Sequence, residues 1–388
     1  MKINSILSVI ALSLIAEVSA KCFAEEFGKP CCTNTKDVVS IDNNGKWVQK
    51  PVTRSFIESR SNKNWKKNYM DKVAIEEFCP ADLVEKKEGI KYPIREDLVY
   101  YSTTTESERP LVVLVPPNNN PKKKYPVLYL LHGIMTDGAW MVQDNFGTIA
   151  IPGNLMSQKK AKEMFIVLPN QYAPAKGTEV EPALTQAYYD GYNNFINDLI
   201  NDIMPFMKKH YSIKTGRENT ALCGYSFGGR NTLNISLRRS DLFGYVGIFS
   251  PAPGIVDGDD IFTGHFDGLF KENEVVFKNP PILTMMSCGT NDTIVFDTPK
   301  IYHQILVKNN QKHIWYEISG ADHADDAAFT SPYHNFLSSV FGQLKEKGNG
   351  KQKTKTTKTK KTKTTKTKKT KTTKSKKAKT TKTKKNKN

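Results

Sequence analysis

A chain of 388 residues, 38% apolar and 25% charged, carries enough apolar surface for a large folded core. Its net charge of +18 is concentrated at one end, because residues 351–388 hold nineteen lysines and no acidic residue and leave the remainder at −1. That distribution argues against a nucleic-acid-binding face, and no apolar run beyond residue 20 is long enough for a membrane span.

The chain opens with Lys2, an almost wholly apolar stretch from Ile6 to Ala16, and the small residues Val18-Ser19-Ala20. This pattern predicts a secretory signal peptide over residues 1–20 and an extracellular protein, in which disulfides are permitted. Cys22, Cys31, Cys32 and Cys79 then fall in a cysteine-rich extension, residues 21–80. Four cysteines suggest two bridges; adjacent Cys31 and Cys32 rarely pair with each other, and two connectivities stay open. The stretch CFAEEFGKPCC, followed by DNNGKW ending at Trp47, resembles the N-terminal part of fungal dockerins. That resemblance implies a cellulosome scaffold protein as a partner of residues 22–80. The alternative is a stapled extension packed on the domain that follows.

From residue 92 to 345 strand and helix alternate. Strands are expected at 111–115, 125–131, 164–168, 219–223, 245–249, 282–287 and 313–318, and helices at 192–207, 298–309 and 332–345. The runs at 125–131 and 164–168 are apolar throughout, as strands covered on both faces should be. The expected fold class is α/β, with a mostly parallel sheet and helices on both faces. Ligands of such sheets bind beyond the carboxyl ends of the strands, so the residues just after each strand are the ones to inspect. Cys223 and Cys288 lie inside apolar runs and read as small buried hydrophobes rather than nucleophiles.

After the strand at 219–223 comes Gly224-Tyr225-Ser226-Phe227-Gly228, then Gly229 and an apolar helical run. A sharp strand-to-helix turn of this composition lifts a serine hydroxyl out of the sheet. A serine needs a base for its proton, and the base needs an acid to hold its tautomer. In an α/β-hydrolase the chain order is serine, acid, histidine. Asp292 follows the run at 282–287 and His323 follows the run at 313–318, which makes Ser226, Asp292 and His323 the expected catalytic set. His303 and His313 fall on a helix and a strand and read as packing residues; His334, at the start of the last expected helix, is the competitor. Asp322, Asp325 and Asp326 crowd His323 and read as a solvated loop face. The oxyanion of an acyl transfer needs backbone N–H donors. Phe227, after the nucleophile, and Ile134, in the turn His132-Gly133-Ile134 after an early strand, are the expected pair, with His132 bracing the turn.

The segments LLHGIMTDGAW, DGYNNFINDLINDIMPFMKKHYS, ALCGYSFGGRNTLNISL, SPAPG and SCGTNDT together resemble the feruloyl esterases of carbohydrate esterase family one, especially those of anaerobic rumen fungi. The resemblance implies an α/β-hydrolase fold, a Ser226–Asp292–His323 triad, and no metal or other cofactor. Where many members carry Gly-Gly-His-Asp, this chain has Ala321-Asp322-His323-Ala324. The implied substrate is feruloylated arabinoxylan or its oligosaccharides, with Trp140 and Tyr225 as walls for the aromatic acid. An acetyl xylan esterase is the neighbouring reading, and a non-catalytic carbohydrate- or scaffold-binding protein is the reading from another class.

The chain ends, from residue 346, in a lysine- and threonine-rich tail in which residues 353–384 form four copies of an eight-residue unit. Such a segment cannot bury enough apolar area to offset the entropy of ordering, so disorder is expected. It reads either as an electrostatic tether or as a solubilising tail.

Overall fold

The computed structural model describes residue 66, residues 68–143, 146–260 and 264–344, and two short strands, Ser40–Ile41 and Trp47–Val48. The predicted signal peptide, Cys22, Cys31, Cys32 and the repeat tail lie outside the described residues. The chain divides into two units between residues 63 and 64. In the first, Ser40–Ile41 and Trp47–Val48 pair antiparallel.

The second unit is built on an eight-stranded sheet. Its strands are β1 (Ile94–Ser102), β2 (Ser107–Val115), β3 (Val127–Leu131), β4 (Phe165–Pro169), β5 (Thr220–Tyr225), β6 (Tyr245–Phe249), β9 (Leu283–Gly289) and β10 (Ile314–Ile318); β7 (Gly258–Asp260) and β8 (Gly264–Phe266) form a separate hairpin. The order across the sheet is β10-β9-β6-β5-β3-β4-β2-β1. All neighbours from β10 to β4 are parallel, and β2 and β1 close one edge antiparallel. The parallel order explains the uniformly apolar runs: alternate side chains of one strand must satisfy two cores. On one face Val127, Tyr129 and Leu131 pack with Leu222, Val246, Phe195, Leu199, Ile203 and Leu233. On the other, Leu128 and Leu130 pack with Ala221, Cys223, Phe249, Phe329, Phe336, and Ile151 and Leu155 of α1 (Ala150–Ser157).

Several sequence expectations change in detail. β1 was not anticipated, because its Arg95, Glu96 and Asp97 hide the apolar alternation of an edge strand. The helix expected over 192–207 is instead α2 (Gln186–Asn193), α3 (Phe195–Asp198), a π turn (Leu199–Ile203) and α4 (Met204–His210). Pro205 has no N–H to give the carbonyl four residues back, so the ladder slips by one residue there. The last helix runs over Asp326–Leu337 with Pro332 inside it, not at its start, and His334 lies in its final turn. Residues up to 80 do not all belong to an N-terminal extension. The Tyr69 hydroxyl donates to Ser339 O at 2.6 Å, the Cys79 N–H to Ser331 Oγ at 3.1 Å, and Asn154 Nδ2 to Leu83 O at 2.8 Å, so this segment is part of the hydrolase unit. Cys79 has no disulfide partner among the described residues; burial first, then nearby Glu76 and Asp82, push its thiol pKa up to about 12.

His303, in α6 (Thr298–Lys308), and His313, just before β10, form a half-buried pair. His313 Nδ1 donates to Gln311 O at 2.7 Å, so its Nε2 is bare and accepts the proton of His303 Nδ1 at 2.7 Å. Trp315 stacks on the His303 ring with centroids 4.7 Å apart. Burial, then the neighbouring His313, lower the His303 pKa to about 4, and burial also lowers that of His313. A depressed histidine pKa stabilises the fold at neutral pH and loses that contribution as pH falls from about 6.5 towards 4. Urea midpoints should therefore fall across that window, and His303→Gln should flatten the slope. An unchanged slope would remove the pair as a source of acid lability.

Candidate active site

Four loops at the carboxyl ends of parallel strands carry the predicted residues and their supports. Ser226 sits between β5 and α5 (Phe227–Arg238) with φ 58° and ψ −121°, a conformation that a non-glycine residue holds only under constraint. The constraint is visible. Its N–H donates to Phe249 O at 2.9 Å, and its carbonyl accepts from Arg230 N at 3.0 Å and Ala252 N at 3.1 Å. A Cβ at Gly224 would stand 2.3 Å from Gly228 O, and one at Gly228 would stand 2.3 Å from Leu131 O, so the turn closes only with glycine at both positions.

His323 and Asp292 meet: Nδ1 donates to Asp292 Oδ2 at 2.8 Å, with the carboxylate side chain 1% exposed and the imidazole 12% exposed. The other carboxylate oxygen, Oδ1, accepts from the N–H groups of Ile294 (3.1 Å) and Val295 (3.0 Å). Tyr225, beside the serine, stacks its ring on the imidazole at 5.0 Å, and its hydroxyl donates to the His323 carbonyl. Asp322 accepts from the His323 N–H and from Thr293, and Asp325 accepts from the Asp322 N–H at 2.7 Å, so these acids tie the loop together. Ser226 Oγ has no hydrogen bond among the described residues; nucleophile–base contacts are commonly long before substrate binds. His334 lies in the last helix with its Nδ1 buried and without a hydrogen-bond partner among the described residues, and burial lowers its pKa. Burial pushes the Cys223 thiol well up and the Cys288 thiol to about 12, which keeps both in the un-ionised form.

The turn after β3 lies against the serine, since a Cβ at Gly133 would stand 3.9 Å from Ser226 Oγ. Neither Ile134 N–H nor Phe227 N–H is used by a backbone hydrogen bond among the described residues. Burial lowers the His132 pKa to about 4 and keeps the ring neutral. Gly133 O, an acceptor, takes the proton of Nδ1 at 2.6 Å, while Nε2 accepts from Gln171 N–H at 3.0 Å. The buried Gln171 side chain donates to His132 O and accepts from Asn231 Nδ2 at 3.0 Å, linking the turn to α5. Arg230 is buried, its pKa lowered by that burial to about 10. It lies 4.8 Å from the Phe227 ring centroid and donates to Asn231 Oδ1 at 3.0 Å.

Sequence reasoning missed Gln171 and Asn231. The first follows β4 at the sheet's carboxyl edge, and that position was the available signal. Of the two expected aromatic walls, Trp140 packs on Phe146 with ring centroids 4.4 Å apart and Tyr225 stacks on His323. Beside the turn after β3, Tyr188, Tyr192, Phe227 and Phe266 form a buried aromatic cluster with Val295, against which half-buried Tyr172 and Ile134 pack. Among the described residues one group has metal-ligand spacing, Asp257, His265 and Asp267. It is fully exposed on the β7–β8 hairpin, where His265 already pairs with Asp257 and Asp259 at 3.2 Å each.

Residues 102–373 match the family model named Esterase. A CE1 ferulic acid esterase from Anaeromyces mucronatus, solved in complex with ferulic acid, superposes with a TM-score of 0.68 and 50% identity over 70% of this chain and 99% of that one. An endo-1,4-beta-xylanase/feruloyl esterase of Xylanibacter ruminicola is 32% identical over 130 residues, 33% of this chain and 17% of its own length. Feruloyl esterase B of Piromyces equi is 40% identical over 48 residues, 12% of this chain and 9% of its own. The chain thus spans less than a fifth of these two curated relatives.

Proposed function

This chain belongs to the Esterase family, and from that premise we propose that it hydrolyses feruloyl and related hydroxycinnamoyl esters of plant cell-wall arabinoxylan. Ser226 Oγ attacks the ester carbonyl while His323 Nε2 takes its proton, and Asp292 stabilises the imidazolium that forms. The negative charge on the carbonyl oxygen is held by Phe227 N–H and Ile134 N–H. The bond to the sugar oxygen breaks, and that oxygen leaves with the proton from His323. Water, deprotonated by the same histidine, then attacks the acyl-Ser226 carbonyl, and the free acid departs as the serine is reprotonated. The observation that carries this reading is the 2.8 Å His323–Asp292 contact, stacked against the tyrosine that precedes a conformationally constrained serine.

Half-buried Tyr172 and Ile134, backed by the buried aromatic cluster, offer walls to an aromatic acyl group, since flat aromatic ligands take apolar walls with few polar anchors. Comparing methyl ferulate with an aryl acetate tests this; turnover of the acetate alone would make the protein an acetyl esterase. Gln171 holds both oxyanion turns through His132 and Asn231. Gln171→Ala should lower kcat by about 10- to 100-fold with KM little changed, as expected when a group supports only the transition state. A change confined to KM would assign Gln171 to ground-state binding.

The reading extends to secretion, with residues 1–20 as the signal, and to two bridges among Cys22, Cys31, Cys32 and Cys79. N-terminal sequencing of secreted protein tests the first, and thiol counting the second. A scaffold-binding role for residues 22–80 narrows to those before Asn64, since the rest packs on the hydrolase. Pull-down of a scaffold fragment by the full chain, lost on deleting residues 22–63, is the matching test.

A further inference from the structure

We infer that a cavity behind the triad acid is the subsite for the polysaccharide side of the substrate. This rests on the esterase reading above and adds to it the place where the sugar chain is held. The cavity, about 540 Å³, opens beyond the carboxyl end of β9 and is lined by Thr290, Asn291, Thr293, Phe296, Lys300 and Asp322, with Asp292 at its base.

Chemistry fixes which side of the site the sugar must occupy. The leaving alcohol receives its proton from His323, so the sugar oxygen lies on the His323 side of the scissile bond. The cavity shares two walls with the supports of the histidine. Asp322 accepts from the His323 N–H, and Asp292 holds the imidazole.

The lining also has the character of a sugar site. Pyranose and furanose rings offer hydroxyls that need both donors and acceptors, and C–H faces that pack on an aromatic ring. The Asn291 side chain is exposed and has no hydrogen-bond partner among the described residues. Lys300 is held in place by Glu317 at 3.5 Å and Asp297 at 3.9 Å, leaving donors of its three-proton ammonium for a ligand. Phe296 is 49% exposed and sits at φ 44°, a conformation uncommon for a bulky side chain and one that clusters at ligand sites. A phenylalanine held out to water at a cavity rim gains little for the fold; it gains a role when a ring stacks on it.

The test compares kcat/KM for a feruloylated arabinoxylo-oligosaccharide with that for methyl ferulate, which has no sugar, in the full chain. In Phe296→Ala and in Lys300→Ala the oligosaccharide-to-methyl ratio should fall about 5- to 20-fold, through KM for the oligosaccharide. An unchanged ratio in both variants would overturn the subsite. A wild-type protein inert on both esters would sink the esterase reading instead. Calorimetric titration with the unesterified oligosaccharide then decides the subsite alone: binding weakened by Phe296→Ala supports it, and no binding to wild type overturns it.

Discussion

Replacing Ser226 by alanine should lower turnover of methyl ferulate about 10⁴-fold or more, with the thermal midpoint essentially unchanged. The large loss follows from chemistry that no neighbour replaces: the buried thiols of Cys223 and Cys288 have pKa values raised by burial, and no other hydroxyl occupies the turn between β5 and α5. The small effect on stability follows from the backbone. Ser226 is held at φ 58° by the hydrogen bonds to Phe249, Arg230 and Ala252, all made by main-chain atoms that alanine keeps. Glycine tolerates that φ without strain, so Ser226→Gly should be equally inactive and more stable than Ser226→Ala by about 1 kcal/mol. Urea titration of the two variants checks the difference. Turnover within tenfold of wild type in either would take Ser226 out of the mechanism.

The second large effect is expected at the acid. Asp292→Asn should lower kcat about 10³- to 10⁴-fold while leaving KM within a few-fold of wild type. The direction is set by what each carboxylate oxygen accepts. Oδ1 takes two backbone N–H groups, from Ile294 and Val295, and Oδ2 takes the His323 N–H. An asparagine has one acceptor oxygen, and turning its NH₂ towards two N–H donors is the costlier arrangement. The amide oxygen therefore stays on the backbone, and the NH₂ group meets His323 Nδ1. The imidazole must then carry its proton on Nε2, facing the serine, where it can no longer act as a base. A kcat within tenfold of wild type would mean that another group orients His323. Asp322 and Asp325 are the nearby acids, but the bonds they make to the loop run through backbone and Thr293.

The parts of the fold that could be read from sequence are those where burial leaves no choice. The runs at 125–131, 164–168 and 245–249 lie between two cores, and every residue in them is apolar or small. β1 escaped because an edge strand needs only one buried face, and its charged residues occupy the others. The break around Leu199 comes from proline. Pro205 interrupts a ladder that the apolar stripe alone would continue, whereas Pro332 is accommodated inside a helix that begins at Asp326. Local turn chemistry made Ser226, Asp292 and His323 legible as candidates. Gln171 and Asn231 were not legible, because their work is a pair of long-range hydrogen bonds that no short motif records. The aromatic cluster behind Ile134 is likewise assembled from four separate segments, around residues 172, 188–192, 227 and 266.

The central claim is that Ser226 carries the acyl group, and covalent labelling tests it most directly. The full chain, treated with a fluorophosphonate, digested and mapped by mass spectrometry, should yield one adduct, on the peptide containing Ser226. Labelling should run parallel to loss of ester turnover and be slowed by methyl ferulate. Full inactivation with the adduct on another residue, or an active enzyme that takes no label at Ser226, would contradict the account.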